Sequence, residues 1–192
     1  PLVIVAHGYG NVPAGMAWLG ENLASKGYVV AAIRHGDQYL NPVGLPSGLL
    51  NRPLDIGFVA RQLQGDAGKP FGIDPSRTAL IGYSLGGYGV LTAGGAPLDA
   101  SGPLSRLLPS DVLAPHARGG AMAEAMLAPN VRAIVALAPA GGAFGAWGTS
   151  GLAEVRAPLL LISGDRDQTV DYATGAREIF DRATGTTRYL LT

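Results

Sequence analysis

The stretch Gly82-Tyr83-Ser84-Leu85-Gly86-Gly87 constrains this chain more than any other. An apolar run, Thr78-Ala79-Leu80-Ile81, leads into it, and Tyr88-Gly89-Val90-Leu91-Thr92-Ala93 continues from it with the character of a helix. A strand that turns through Gly-x-Ser-x-Gly straight into a helix holds its serine in a strained backbone conformation, with the hydroxyl raised above the end of the sheet. Gly82 and Gly86 carry no Cβ, so strand and helix can pass close beside each other there. The unpaired N–H groups of the helix start beneath Ser84 and favour negative charge developing above it. Ser84 is therefore the expected nucleophile. The plain alternative, a glycine-rich turn with an incidental serine, has the flanking strand and helix against it.

Length and composition narrow the setting of that turn. At 192 residues, with 47% apolar and 15% charged residues, the chain suits one well-buried domain spanning 1–192. Lys+Arg and Asp+Glu balance at 14 each, so neither nucleic acid nor an anionic membrane surface is implied as a partner. No apolar run approaches the length of a membrane span. The absence of cysteine excludes disulfides, a thiol nucleophile and thiolate metal sites. Both ends read as interruptions: Pro1 opens directly onto the strand-like run Leu2–Ala6, and Thr187–Thr192 reads as a strand cut before any turn. The expectation is a piece of a longer protein, with its localisation, cytoplasmic or secreted, left open.

Taken in order, the chain alternates strands and helices. Leu2–Ala6, Tyr28–Ile33, Thr78–Ile81, Val131–Leu137 and Pro158–Ser163 are continuous apolar runs, the pattern of parallel strands covered on both faces. Helical spacing appears over 15–26, 54–63 and 171–182, and a loop is expected from about Arg34 to Pro53. This alternation predicts βαβ units with right-handed crossovers, an α/β class with a mostly parallel, doubly wound sheet. Residues 96–130 break the pattern with Pro97, Pro103, Pro109, Pro115 and Pro129, and read as an insertion over the top edge of the sheet, of the kind that forms lids.

A serine needs a base, an orienting acid and donors for the developing oxyanion. His7-Gly8-Tyr9-Gly10 follows the first strand, which should lie beside the strand carrying Ser84. The expected donors are the backbone amides of Leu85 and, from this turn, Tyr9. His7 is read as a structural histidine that shapes the turn. Tyr9, Tyr83 and Trp147 are candidate walls of a substrate pocket, although the Tyr9 ring could equally pack on the insertion. Gly164-Asp165-Arg166-Asp167 follows the strand over 158–163, and Asp167 is the favoured acid, with Asp165 as the alternative and an Asp-rich turn capping the next helix as the plain reading. Asp171 has the character of that cap. The base is missing: His7 and His35 precede Ser84, His116 precedes Asp167, and the expected order is Ser, acid, His. His35 and His116 are read as surface or loop residues. No His/Asp/Glu spacing fits a metal, and no phosphate-binding loop is present, so no cofactor is expected.

These motifs resemble the dienelactone-hydrolase-like branch of the α/β-hydrolases, which shades into bacterial platelet-activating-factor acetylhydrolase homologues and cutinase-like polyester hydrolases. The matching residues are Pro1–Gly10, Asn51-Arg52-Pro53-Leu54-Asp55-Ile56, Gly82–Tyr88 and Pro158–Asp167. The resemblance implies an α/β-hydrolase fold, here partial, with its first strands and its C-terminal histidine loop outside these residues. It implies a serine esterase that cleaves small-molecule carboxylic esters through an acyl-enzyme. Two departures matter. Ser84 stands where dienelactone hydrolase proper has Cys, which points to ordinary esters. Ala138-Pro139-Ala140 stands where acetylhydrolase-like members carry the acid, which moves that role to Asp167. The rival expectation is a non-catalytic binding module on the same fold.

Overall fold

The computed structural model describes residues 1–37 and 44–192. Its strands are β1 (Leu2–Ala6), β2 (Val29–Ile33), β3 (Thr78–Tyr83), β4 (Val131–Leu137), β5 (Leu159–Ile162) and β6 (Arg188–Leu191). They form one sheet in the order β2-β1-β3-β4-β5-β6, with every neighbouring pair parallel. β1 to β5 fall on the five apolar runs, because a parallel strand covered on both faces has no side that can be polar, whereas the edge strand β6 leaves Tyr189 and Leu191 exposed. β1 shows this best: all five of its residues are buried between β2 and β3. β2 lies at the edge and leaves Ala32 exposed.

The helices are α1 (Ala17–Ala24), α2 (Gly44–Gln64), α3 (Leu85–Ala93), α4 (Ser110–Leu113) and α5 (Glu178–Arg182). The two-residue period of β1 divides the core between them. Leu2, Ile4 and Ala6 face a cluster with Leu49 and Ile56 of α2, Tyr88 and Leu91 of α3, and Ile179 of α5. Val3 and Val5 face the opposite side, with Met16, and Leu19 and Leu23 of α1 packed on it. Helices thus cover both faces of the sheet, as an α/β-hydrolase fold requires. Each fully buried Leu or Ile contributes about 1.5–3 kcal/mol relative to exposure.

The expected loop from Arg34 to Pro53 is corrected in its second half, while residues 38–43 lie outside the described residues. α2 starts at Gly44 and runs through Pro53 to Gln64. A proline inside a helix leaves the carbonyl four residues earlier without its N–H partner. That carbonyl belongs to Leu49, and it accepts the hydroxyl of Tyr88 from α3 at 2.7 Å. The neighbouring helix supplies the donor that Pro53 lacks, so the helix continues.

Residues 96–130 start and finish at the C-terminal end of α3, where the Ala128 amide donates to the Ala93 carbonyl (2.9 Å). Leu104, Leu108, Leu113 and Met126 from this segment are buried in the main core. Arg61 of α2 donates to the carbonyls of Ala125 and Leu127, both at 2.8 Å. The helix expected over 171–182 is shorter and irregular: a π turn over Ala173–Arg177, non-helical at Gly175, leads into α5.

Strand order fixes where a ligand can bind. From β1 the chain goes to β2 on one side, then returns through β3 on the other. The loops leaving β1 and β3 therefore diverge, and the crevice between them is where ligands bind in open α/β sheets. The turn at His7 and the turn at Ser84 both stand at that point.

Candidate active site

Ser84 sits between β3 and α3 with φ 54° and ψ −117°, a conformation that ordinary L-residues avoid. Such strain costs about 1–3 kcal/mol and persists only where the surroundings enforce it. Here they do. The Ser84 amide donates to the Leu137 carbonyl at the end of β4 (2.9 Å), and its own carbonyl accepts from Tyr88 (3.2 Å) and Ala140 (3.0 Å). The Ser84 side chain is half-buried and does not cap the helix it precedes. Gly82 and Gly86 make the turn sterically possible. A Cβ on Gly82 would overlap the Gly86 carbonyl, and one on Gly86 would overlap the Ala6 carbonyl and stand 2.8 Å from that of His7. The first turn of α3 is thereby pressed against the end of β1.

This packing sets the turn after β1 beside the start of α3. A Cβ on Gly8 would stand 3.4 Å from Ser84 Cβ and 2.9 Å from Cδ1 of Tyr83, so the turn after β1 lies directly against the serine. Leu85 is the first residue of α3, where backbone N–H groups have no intrahelical acceptor. Tyr9 is half-buried against the core, and Tyr83 is 44% exposed with its ring beside Gly8.

Behind the turn lies an ion pair that the motifs did not announce. Arg52, fully buried on α2, donates through Nε to Asp37 Oδ2 (2.6 Å) and through Nη2 to Asp37 Oδ1 (2.8 Å). Its Nη1 donates to the His7 carbonyl, and Nη2 also reaches the Gly8 carbonyl at 3.2 Å. The clue in the sequence is Arg52's place on a helical stripe with Leu49, Ile56 and Ala60, all buried. A charge on a core-facing stripe needs a buried partner. With Pro53 read as the end of a loop, that stripe could not be seen.

His7 and His35 continue this buried polar layer. The His7 ring places Nδ1 at 2.8 Å from the Gly8 carbonyl, while the His35 amide donates to His7 Nε2 (3.4 Å). Nδ1 therefore carries the proton. Burial first, and the nearby Arg52 guanidinium with it, hold the His7 pKa below the usual histidine range. His35 lies in the loop after β2, but its expected surface position is corrected: it is buried, with Nδ1 at 2.8 Å from Asp55 Oδ2. A side chain placed just inside an edge strand has no sequence pattern to reveal its burial. His116 is half-buried, with Nδ1 at 3.0 Å from the Val112 carbonyl. The three rings are thus committed to Gly8, Asp55 and Val112.

Beyond β5, Asp167 is half-buried and Asp165 exposed. Asp167 Oδ1 accepts the amides of Thr169 (2.8 Å) and Val170 (3.2 Å), which is the turn-capping arrangement. Asp171 caps the following π turn, accepting the Thr174 amide at 2.9 Å, and this bond holds its carboxyl below the usual range. Trp147 packs against α3. It is 3% exposed, stacked on Tyr88 with ring centroids 5.6 Å apart, and donates through Nε1 to Thr92 Oγ1 (3.0 Å). The structure therefore gathers Ser84, Leu85, Gly82, Gly86, Tyr83 and the turn over 7–9, and puts Trp147 in the core along α3. Among the described residues no helix is long and apolar enough to cross a membrane.

Comparison with known proteins points the same way as the geometry. The model of a family described as "PETase: PET hydrolase-like" matches residues 1–105. Cutinase 2 of Thermobifida cellulosilytica is 27% identical over 182 residues, covering 93% of this chain and 52% of that protein. Cutinase est1 of Thermobifida alba is 35% identical over 89 residues, 46% of this chain and 28% of the relative. Lipase 1 of a Moraxella species is 27% identical over 183 residues, 95% of this chain and 43% of the relative. The chain thus spans about half the length of curated relatives that it matches nearly end to end.

Proposed function

The chain belongs to the PET hydrolase-like family, and from that premise we propose that the full protein hydrolyses carboxylic esters, with Ser84 as nucleophile. Ser84 Oγ attacks the ester carbonyl, and the oxygen that gains charge is held by the amides of Leu85 and Tyr9. One such donor contributes about 3 kcal/mol to the transition state. The tetrahedral intermediate collapses with loss of the alcohol, leaving the acyl group on Ser84, and water then releases the acid. The base is a histidine outside residues 1–192, since the order of nucleophile, acid and base in this fold puts it after Asp167 and no histidine follows that residue here. Asp167 orients that histidine: its Oδ1 is taken by the turn, which leaves Oδ2 for the imidazole.

The observation that carries this reading is the strained Ser84, at φ 54°, with the turn of Gly8 packed against it. The relatives named cutinase and lipase put aliphatic polyesters and acyl-chain esters first among substrates to try. A serine nucleophile favours such open-chain esters over the lactone of the cysteine-dependent branch. The rival reading, a non-catalytic module of the same fold, draws on the lack, among the described residues, of a hydrogen bond between a histidine and Ser84. Full-length protein assayed on p-nitrophenyl esters of increasing chain length and on a polyester film separates the two. Turnover that disappears in Ser84→Ala supports the esterase; no turnover on any of these esters supports the module.

A further inference from the structure

We propose that Arg52 is a positioning residue for the oxyanion-binding turn, acting by holding the carbonyl ends of the two peptide units whose N–H ends face the reaction. This rests on the esterase reading above and adds to it a residue that does not touch the substrate.

The argument begins with the peptide plane. In a trans peptide the C=O and the following N–H point in opposite directions, and no cis peptide is present among the described residues. The His7 carbonyl shares its plane with the Gly8 amide, and the Gly8 carbonyl shares its plane with the Tyr9 amide. Arg52 donates to both of these carbonyls from one guanidinium. Both amides are therefore turned away from α2. They emerge on the side of the turn remote from Arg52, and that turn lies against Ser84. An oxyanion donor works by being aimed before the charge appears, so a rigid peptide plane is the relevant property.

Arginine suits this task for geometric reasons. Its planar fork can bind the Asp37 carboxylate along one edge and two carbonyls along the other, which a lysine ammonium cannot do. Asp37 fixes the fork through two bonds, at 2.6 and 2.8 Å, and neutralises its charge in a site where Arg52 is fully buried. His7 adds a second donor to the Gly8 carbonyl through Nδ1, and the Asn11 amide a third at 3.2 Å. The same guanidinium links α2 to the end of β1, so the turn is held by a helix and not by loop residues alone.

The test uses the full-length enzyme with Arg52→Met/Asp37→Asn, which removes both charges so that neither is left buried alone. Arg52→Lys is the second variant should the first not fold. Arg61→Met is the control: Arg61 is on the same helix, but it bonds the carbonyls of Ala125 and Leu127. Ester hydrolysis by the clamp variants should lose about 10²-fold in kcat with KM unchanged, the size of effect seen when an oxyanion donor is lost. Affinity for a trifluoromethyl ketone transition-state analogue should fall with kcat/KM, because it uses the same donors. Hydrogen exchange at the Gly8 and Tyr9 amides should accelerate, and Arg61→Met should change none of these. A folded clamp variant with wild-type kcat and wild-type exchange at Tyr9 overturns the proposal, as does a loss confined to KM. If wild type cleaves no ester, the esterase reading falls by itself, and amide exchange at Gly8 and Tyr9 still decides the clamp.

Discussion

Gly86, at the start of α3, rests on the carbonyl of Ala6 at the end of β1, so closely that a Cβ would overlap that oxygen. This contact joins the helix that starts beneath Ser84 to the strand that delivers the His7–Tyr9 turn. Ala6 is also the register partner of Gly82 on β3, so the two glycines flanking the serine meet the same residue.

Gly86→Ala should therefore damage both fold and site. Backbone atoms cannot yield as a flexible side chain does, and overpacking of this kind costs about 1–3 kcal/mol. The melting temperature should fall by several degrees and ester turnover by more than the loss of folded protein explains. Gly20→Ala is the opposite case. Gly20 lies within α1, where a Cβ would meet only Val30 Cγ1 at an ordinary 3.7 Å. Alanine there should stabilise by up to about 1 kcal/mol through helix propensity. Thermal melts of the two variants check both signs.

Tyr88→Phe should lower stability by about 1–3 kcal/mol, because it leaves the Leu49 carbonyl buried without a donor. The repair of Pro53 depends on that hydroxyl. In the double variant with Pro53→Ala, the restored amide at position 53 can satisfy Leu49 itself. The cost of Tyr88→Phe should then shrink, and a double-mutant cycle by urea denaturation measures the difference. Equal costs in both backgrounds would break the link between Pro53 and Tyr88.

The pair of helices just described also marks where the sequence was legible and where it was not. β1 to β5 lie on the five continuous apolar runs, and the edge strand β6 falls within the strand-like Thr187–Thr192. Ser84 and its glycines were readable because the turn's sterics permit few residue types. α2 was not readable over 44–53: Pro53 argues locally for a loop, and the compensating Tyr88 lies 35 positions away in the chain. Arg52 and His35 stayed hidden for the same reason, since their partners come from other elements. The partners of Trp147 were equally unreadable: its indole stacks on Tyr88 and donates to Thr92, both on α3 and more than fifty positions earlier in the chain.

Asp167→Asn and Asp165→Asn in the full-length enzyme separate the two carboxylates. Asparagine keeps an oxygen for the amides of Thr169 and Val170, so the turn should survive at position 167. Loss of the negative charge that orients an imidazole cost about 10⁴-fold in the serine proteases. A kcat fall of that order for Asp167→Asn, with little change for the exposed Asp165→Asn, is the expected result. The reverse ranking would move the acid to Asp165.

The central claim is that Ser84 is the group that becomes acylated, and a covalent trap tests it without any assumption about substrate. Full-length protein is treated with an alkyl fluorophosphonate, digested, and the modified peptide identified by mass spectrometry. The account predicts one phosphonylated residue, Ser84, and no labelling of Ser84→Ala. Labelling that persists in Ser84→Ala, or that falls on another residue of the wild type, would contradict it.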